Sequence, residues 1–105
     1  MILLETIDFN YGTEFSFNGS NFFLILTNST EVARSESDGD AFSSRSTYIN
    51  GWDLYMYEGL EGEQRMRKLF HEVTECNLID QGCDGDEAHL LALEIEEEVF
   101  GPRPV

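Results

Sequence analysis

The sequence predicts an α+β fold, in which an N-terminal antiparallel sheet of four or five strands is packed by a C-terminal pair of antiparallel helices. Three observations support this: two Asn-Gly dipeptides lie between apolar runs, the apolar period changes near residue 61, and stop signals follow both later periodic segments. At 105 residues the chain suits one domain of ordinary size. We therefore expect a single domain, 1–105, with strands and hairpins in 1–60 and two helices in 61–100.

The strand signals are clearest around the two Asn-Gly dipeptides. Asn-Gly accepts the positive φ angles of a type I′ turn, the commonest connection of a tight β-hairpin. Asn18-Gly19 stands between an alternating and a continuous apolar run, and Asn50-Gly51 stands between two runs rich in aromatic and β-branched residues. The sequence therefore predicts two hairpins.

Two other segments complete the first half. Residues 2–9 are apolar apart from Glu5 and Asp8, a pattern that favours a half-buried strand. Residues 28–46 are rich in Ser, Asp and Glu and poor in large apolar side chains, so we expect a long exposed loop there.

From residue 61 the apolar side chains follow helical spacing. The first stripe predicts a helix over about 62–80, ended by Gly82, which can take the left-handed conformation that closes helices. Asp84 or Asp86 can cap a second helix, which ends at Gly101. The short connection at Gly82 makes the helices antiparallel neighbours. Their stripes are Met66, Leu69, Phe70, Val73, Cys76 and Asn77 in the first helix, and Ala88, Leu91, Ala92, Ile95 and Val99 in the second.

The charge balance restricts the possible partners. The 21 acidic residues against 6 basic ones give a net charge of −15. Nucleic-acid phosphates and anionic membranes attract Lys and Arg, so direct binding to either is not expected. Strong acidity instead favours solubility, attraction to a basic protein partner, or adaptation to a salty cytoplasm. The apolar N-terminal residues lack a basic flank, so we expect a cytoplasmic protein in which Cys76 and Cys83 are free thiols.

The two histidines of the chain lie on the predicted helices, close to carboxylates. His71 and Glu75 are four residues apart, so their side chains share a helix face. His89 comes early in the second helix, which the short turn brings alongside the first. Together they predict a zinc site of two imidazoles and one carboxylate with one open position for water. Glu72 would be the general base that takes a proton from that water.

The stretch from about residue 46 to residue 100 resembles the minimal zincin metallopeptidases. The resemblance lies in Asn50-Gly-Trp-Asp-Leu-Tyr-Met-Tyr-Glu-Gly-Leu60, a charged helix start, and then His71-Glu72. That family normally has His-Glu-x-x-His, with the Glu as base and a third ligand from a later helix. The resemblance implies zinc ligands at His71, Glu75 and His89, a base at Glu72 and a peptide substrate. The chain departs from the family at Glu75, which stands where the second His would be.

Other interpretations of the same residues stay open. By helical-wheel arithmetic His71 and Glu75 point away from the apolar stripe, which is where solvated side chains belong. His89 could simply be a partly buried imidazole that is hydrogen-bonded to Glu75. The function hypotheses are accordingly a zincin-like metal-binding protein, either a peptidase or its inactive descendant, and a non-enzymatic acidic inhibitor or adaptor. The adaptor would imitate nucleic-acid phosphates, as small phage anti-defence proteins do, and bind a basic protein. The sequence does not indicate an oligomeric state.

Overall fold

A computed structural model describes residues 7–28 and 41–102 and confirms the α+β fold. A four-stranded sheet has the order β1-β2-β4-β3, and two helices follow it in the chain. The elements are β1 (Glu14–Phe17), β2 (Ser20–Thr27), β3 (Ala41–Arg45), β4 (Trp52–Tyr57), α1 (Gly62–Asp80) and α2 (Gly85–Phe100).

The first predicted hairpin is confirmed. β1 and β2 pair antiparallel, and Asn18 and Gly19 connect them. Both connecting residues have positive φ, 50° for Asn18 and 88° for Gly19. These are the angles of a type I′ turn, which explains why this dipeptide joins the two strands.

The second hairpin forms with a longer connection than Asn50-Gly51 predicts. β3 and β4 pair antiparallel, but β3 ends at Arg45 and residues 46–51 form the connection. The Ser46 hydroxyl accepts hydrogen bonds from the backbone N–H groups of Tyr48 and Ile49, which shape this turn. A Cβ on Gly51 would lie 2.3 Å from the backbone oxygen of Asn21. The glycine is therefore needed for close approach to β2 rather than for a two-residue turn.

The sheet is mixed, whereas the sequence predicts an antiparallel one. The two hairpins meet through β2 and β4, which run parallel with Phe22 opposite Trp52 and Thr27 opposite Tyr57. Hairpin signals identify only strands that are consecutive in the chain, so they do not determine how two hairpins pair. β2 and β4 are also the two central strands, which explains their nearly continuous apolar sequences.

Two sequence predictions fall partly outside the described residues. Of the strand predicted over residues 2–9, residues 2–6 are not described, and residues 7–9 do not form a strand. Of the loop predicted over 28–46, residues 29–40 are not described, and residues 41–45 form β3 rather than loop. The Ala-Phe-Ser-Ser-Arg sequence of β3 has no β-branched residue, so it gave little strand signal.

Both helices form as predicted. α1 spans Gly62–Asp80, and the side chain of Asp84 caps α2 by accepting a hydrogen bond from the N–H of Glu87. The start of α1 contacts the end of α2 and its middle contacts the start of α2, so the helices are antiparallel. Within residues 7–28 and 41–102, no helix is both long and apolar enough to cross a membrane.

The hydrophobic core lies between α1 and one face of the sheet. The stripe predicted for α1 supplies its helical side, and alternate residues of the strands supply the other side. The buried side chains are Phe22, Leu24, Ala41, Trp52, Leu54, Met56, Leu60, Leu69, Phe70, Val73 and Cys76. α2 packs on α1, so α1 is covered from two directions.

Asp80 joins the end of α1 to the sheet. Its carboxylate accepts hydrogen bonds from the Ser20 hydroxyl at 2.6 Å and the Trp52 indole N–H at 3.1 Å, and Arg45 lies 2.9 Å away. Burial alone would raise the pKa of Asp80, but the bonds from Ser20, Trp52 and Arg45 outweigh it and lower the pKa. The ionised carboxylate therefore stabilises the folded state.

Asp80→Asn should lower the free energy of unfolding by about 1–2 kcal/mol at neutral pH, since hydrogen bonds to a charged group are lost. A depressed folded-state pKa stabilises the fold above the ordinary aspartate value of about 3.9. That stability is lost as the pH falls through the lowered value. Urea denaturation at several pH values should thus show the difference between the two proteins shrinking below about pH 4. If the difference in unfolding free energy between the two proteins did not shrink in acid, the ionised Asp80 carboxylate would not be what stabilises the fold.

Candidate metal centre

His71, Glu75 and His89 are brought together as the sequence predicts. One donor atom from each residue lies within 4.8 Å of the other two. α1 presents His71 and Glu75 on consecutive turns of one face, and the first turns of α2 place His89 opposite them. The cluster therefore bridges the two helices.

The separations are close to those of ligands around one ion. His89 Nδ1 lies 3.1 Å from Glu75 Oε1, and His71 Nε2 lies 3.7 Å from the same oxygen. Donors about 2.0–2.1 Å from a tetrahedral zinc lie about 3.3–3.4 Å from one another. The two imidazole rings meet edge to face, with centroids 5.2 Å apart. Shifts of a few tenths of an ångström in these two separations would match that spacing.

A second carboxylate, that of Glu96, lies beside the ring nitrogen of His71 that faces away from Glu75. Nδ1 of His71 lies 3.1 Å from Glu96 Oε1, and the other oxygen of Glu96 lies 2.8 Å from Nε of Arg67. The side chains of His71 and Glu96 are 1% and 2% exposed. Ligating histidines commonly have a carboxylate on the ring nitrogen opposite the metal. Glu96 occupies that place for His71.

The burial of His71 corrects the helical-wheel interpretation. His71 lies away from the core stripe, but it is covered by α2 rather than solvated. Glu75 and His89 are partly exposed, and they form the hydrogen bond that the sequence allowed for this pair. The helical-wheel projection identified the side of α1 that lacks apolar residues, but it could not show that a second helix covers that side.

The partly exposed side of the cluster opens into a shallow cleft. This cleft has a volume of about 400 Å³ and is lined by Glu75, Gly85, Asp86, His89 and Leu90. Leu90 is 63% exposed, so the cleft is open to solvent. A small molecule could reach Glu75 and His89 from this side, whereas His71 is enclosed.

Glu72 is placed differently from the three candidate ligands. It is only 4% exposed and accepts a hydrogen bond from the Ser43 hydroxyl of β3 at 3.3 Å. Cys76, one turn later, also contacts Ser43. These contacts show that Glu72 faces the sheet, whereas His71 and Glu75 contact α2. Its role as a general base stays a prediction.

The two cysteines are free thiols, as predicted. Burial raises the pKa of the Cys76 thiol, and this outweighs the hydrogen bond with Ser43. Cys76 therefore stays protonated in the core and does not offer a thiolate to a metal.

Arg67 and Glu96 are the site residues that the sequence did not reveal. They are 29 positions apart, and each lies in a helix that is rich in charged residues. Glu96 belongs to the run Glu94-Ile-Glu-Glu-Glu98, in which nothing distinguishes the buried carboxylate from its exposed neighbours. Its position on the α1 side of α2 follows from helix packing, which the sequence specifies only through the neighbouring apolar residues.

Comparison with protein-family models, with curated proteins and with solved structures gives no match for this chain. The resemblance to minimal zincins stays a prediction from the residues that suggested it.

Proposed function

We propose that this protein binds one divalent transition-metal ion, Zn²⁺ being the best chemical match, through His71, Glu75 and His89. The observation that carries the proposal is the convergence of these three donors between two packed helices. Two imidazoles and one carboxylate suit zinc, whereas Mg²⁺ and Ca²⁺ prefer oxygen ligands alone. The nearby Glu96 supports the proposal because it leaves Nε2 of His71 facing Glu75.

The arrangement favours metal binding without peptide hydrolysis, which corresponds to an inactive descendant of a zincin. Three protein ligands would leave a fourth position for water, as hydrolytic zinc sites require, and water could reach Glu75 and His89 through the cleft. A general base must also reach the water at that position. Glu72 would have to leave Ser43 and turn from the sheet toward α2 to do so. A peptidase screen with Glu72→Gln as control tests the hydrolytic alternative.

Zinc should raise the melting temperature of the purified protein. A ligand that binds only the folded state stabilises it by about 2.7 kcal/mol at 100 times its dissociation constant. For a domain of this size that corresponds to a shift on the order of 10 °C. Thermal unfolding followed by circular dichroism, with zinc and then with a chelator, measures the shift and its reversal. An equal shift with Mg²⁺, or no shift with zinc, would count against the proposal.

The second candidate function is an acidic adaptor for a basic protein, and the surface of α2 favours it. The exposed side of this helix carries five acidic residues, Asp86, Glu87, Glu94, Glu97 and Glu98. With a net charge of −15, such a surface attracts Lys- and Arg-rich partners. Competition with DNA for a basic nuclease tests this function, and a chelator should not affect the result.

A further inference from the structure

We propose that Glu96 and Arg67 are positioning residues that hold His71 in the tautomer and orientation needed to bind a metal. The part of this inference that concerns metal affinity rests on the proposed function. The part that concerns the His71 ring does not, because the ring can be examined in the metal-free protein.

Glu96 bridges two partners with its two carboxylate oxygens. Oε2 accepts a hydrogen bond from Nε of Arg67 at 2.8 Å, and Oε1 lies 3.1 Å from Nδ1 of His71. All three side chains lie between α1 and α2, with Glu96 2% exposed. A buried carboxylate accepts hydrogen bonds and cannot donate them when ionised. Glu96 Oε1 lies closer to Nδ1, at 3.1 Å, than Glu75 Oε1 lies to Nε2, at 3.7 Å, so the proton of a neutral His71 ring is favoured on Nδ1.

A proton on Nδ1 leaves the lone pair on Nε2, the nitrogen that faces Glu75 at 3.7 Å. Metal ligation needs that lone pair, since a protonated nitrogen cannot coordinate. Glu96 therefore selects the nitrogen that points toward the other two candidate ligands.

Arg67 keeps Glu96 in place. Besides the bond to Glu96, its guanidinium donates to the backbone oxygen of Gly101 at 3.0 Å and to that of Phe100 at 3.5 Å. These carbonyls are at the C-terminal end of α2, where a cation is also favoured by the helix dipole. The planar guanidinium serves several acceptors at fixed angles, which an ammonium group cannot do. Arg67 thus fixes the carboxylate relative to both helices.

A purely structural role for Arg67 and Glu96 would predict an effect on stability alone. Buried ion pairs can often be replaced by well-packed apolar residues without loss of stability. Such a role would leave the tautomer of His71 undetermined, whereas positioning requires one tautomer. The tautomer is therefore the readout that separates the two roles.

Glu96→Gln should reverse the tautomer. The Gln carbonyl would accept from Arg67, and its NH₂ would face His71 and donate to Nδ1, which moves the ring proton to Nε2. Nitrogen chemical shifts of the imidazole, measured by NMR at mildly alkaline pH without metal, should show Nδ1–H in the wild type and Nε2–H in the variant. Glu97→Gln makes the same chemical change at an exposed neighbouring residue, so His71 should keep its wild-type tautomer in this variant.

The same variants are then titrated with zinc. Loss of a carboxylate behind a ligating histidine typically weakens metal binding about 10–100-fold. We expect that loss for Glu96→Gln and none for Glu97→Gln. Should Glu96→Gln not fold, Arg67→Lys replaces it, with an expected loss of about 10-fold from a less fixed carboxylate.

The outcomes separate this inference from the proposed function. An Nε2–H tautomer in the wild type, or an unchanged tautomer in Glu96→Gln, would overturn the positioning role whatever the metal result. Unaltered zinc affinity in a folded Glu96→Gln or Arg67→Lys protein would also overturn it. If the tautomers behave as expected and the wild type binds no zinc, the positioning of His71 stands and the metal-binding function fails.

Discussion

Replacing His89 with Ala should weaken zinc binding by about 100-fold or more. Zinc sites in proteins supply on the order of 10–16 kcal/mol from about four ligands, so one lost donor costs about 3 kcal/mol. His89 is partly exposed and contacts the Glu75 carboxylate 3.1 Å away, so its removal should change the stability of the metal-free fold little. Calorimetric titration with zinc measures the affinity, and thermal unfolding without metal measures the fold.

Leu90→Ala is the matched control for this prediction. Leu90 follows His89, lines the same cleft and is 63% exposed, but it offers no donor atom. Its replacement should leave the zinc affinity within a factor of about two, since surface substitutions usually change free energies by less than about 0.5 kcal/mol. If His89→Ala bound zinc as tightly as Leu90→Ala, His89 would not be a ligand.

Arg67→Ala should lower the free energy of unfolding by about 3–5 kcal/mol. Removing one member of a buried ion pair leaves the other charge without compensation, and that cost falls in this range. Glu96 is 2% exposed, and the variant also removes the bonds from Arg67 to the end of α2. Urea denaturation of the metal-free protein measures the change.

The double variant Arg67→Met with Glu96→Leu shows whether the cost comes from the buried charge. Apolar residues of similar volume often replace a buried pair without loss of stability. We expect the double variant to recover most of the stability that Arg67→Ala loses. If the free energy of unfolding of Arg67→Ala lay within about 1 kcal/mol of the wild-type value, water would reach Glu96 and the ion pair would not be enclosed.

The parts of the fold set by local chemistry could be predicted. Asn18-Gly19 forms its turn because both residues accept positive φ, and Asp84 begins α2 because its side chain accepts a backbone N–H. α1 has the predicted bounds. These features depend on residues that are close in the chain, which a sequence pattern records directly.

The features that depend on distant contacts could not be predicted. The parallel pairing of β2 with β4 arises where two hairpins meet, and Gly51 is required by the backbone of Asn21, 30 residues earlier. The sequence identified His71, Glu75 and His89 through their spacing on two helices. It could not reveal that α2 would cover His71 or that Glu96 and Arg67 would lie behind it.

The metal content of the purified wild-type protein tests the central claim most directly. The protein is prepared without chelator, equilibrated with a slight excess of Zn²⁺ and dialysed, and its zinc is measured by elemental analysis against the protein concentration. Binding through His71, Glu75 and His89 predicts about one zinc per chain, the content of a single-ion site. A zinc content near zero after equilibration would contradict the account.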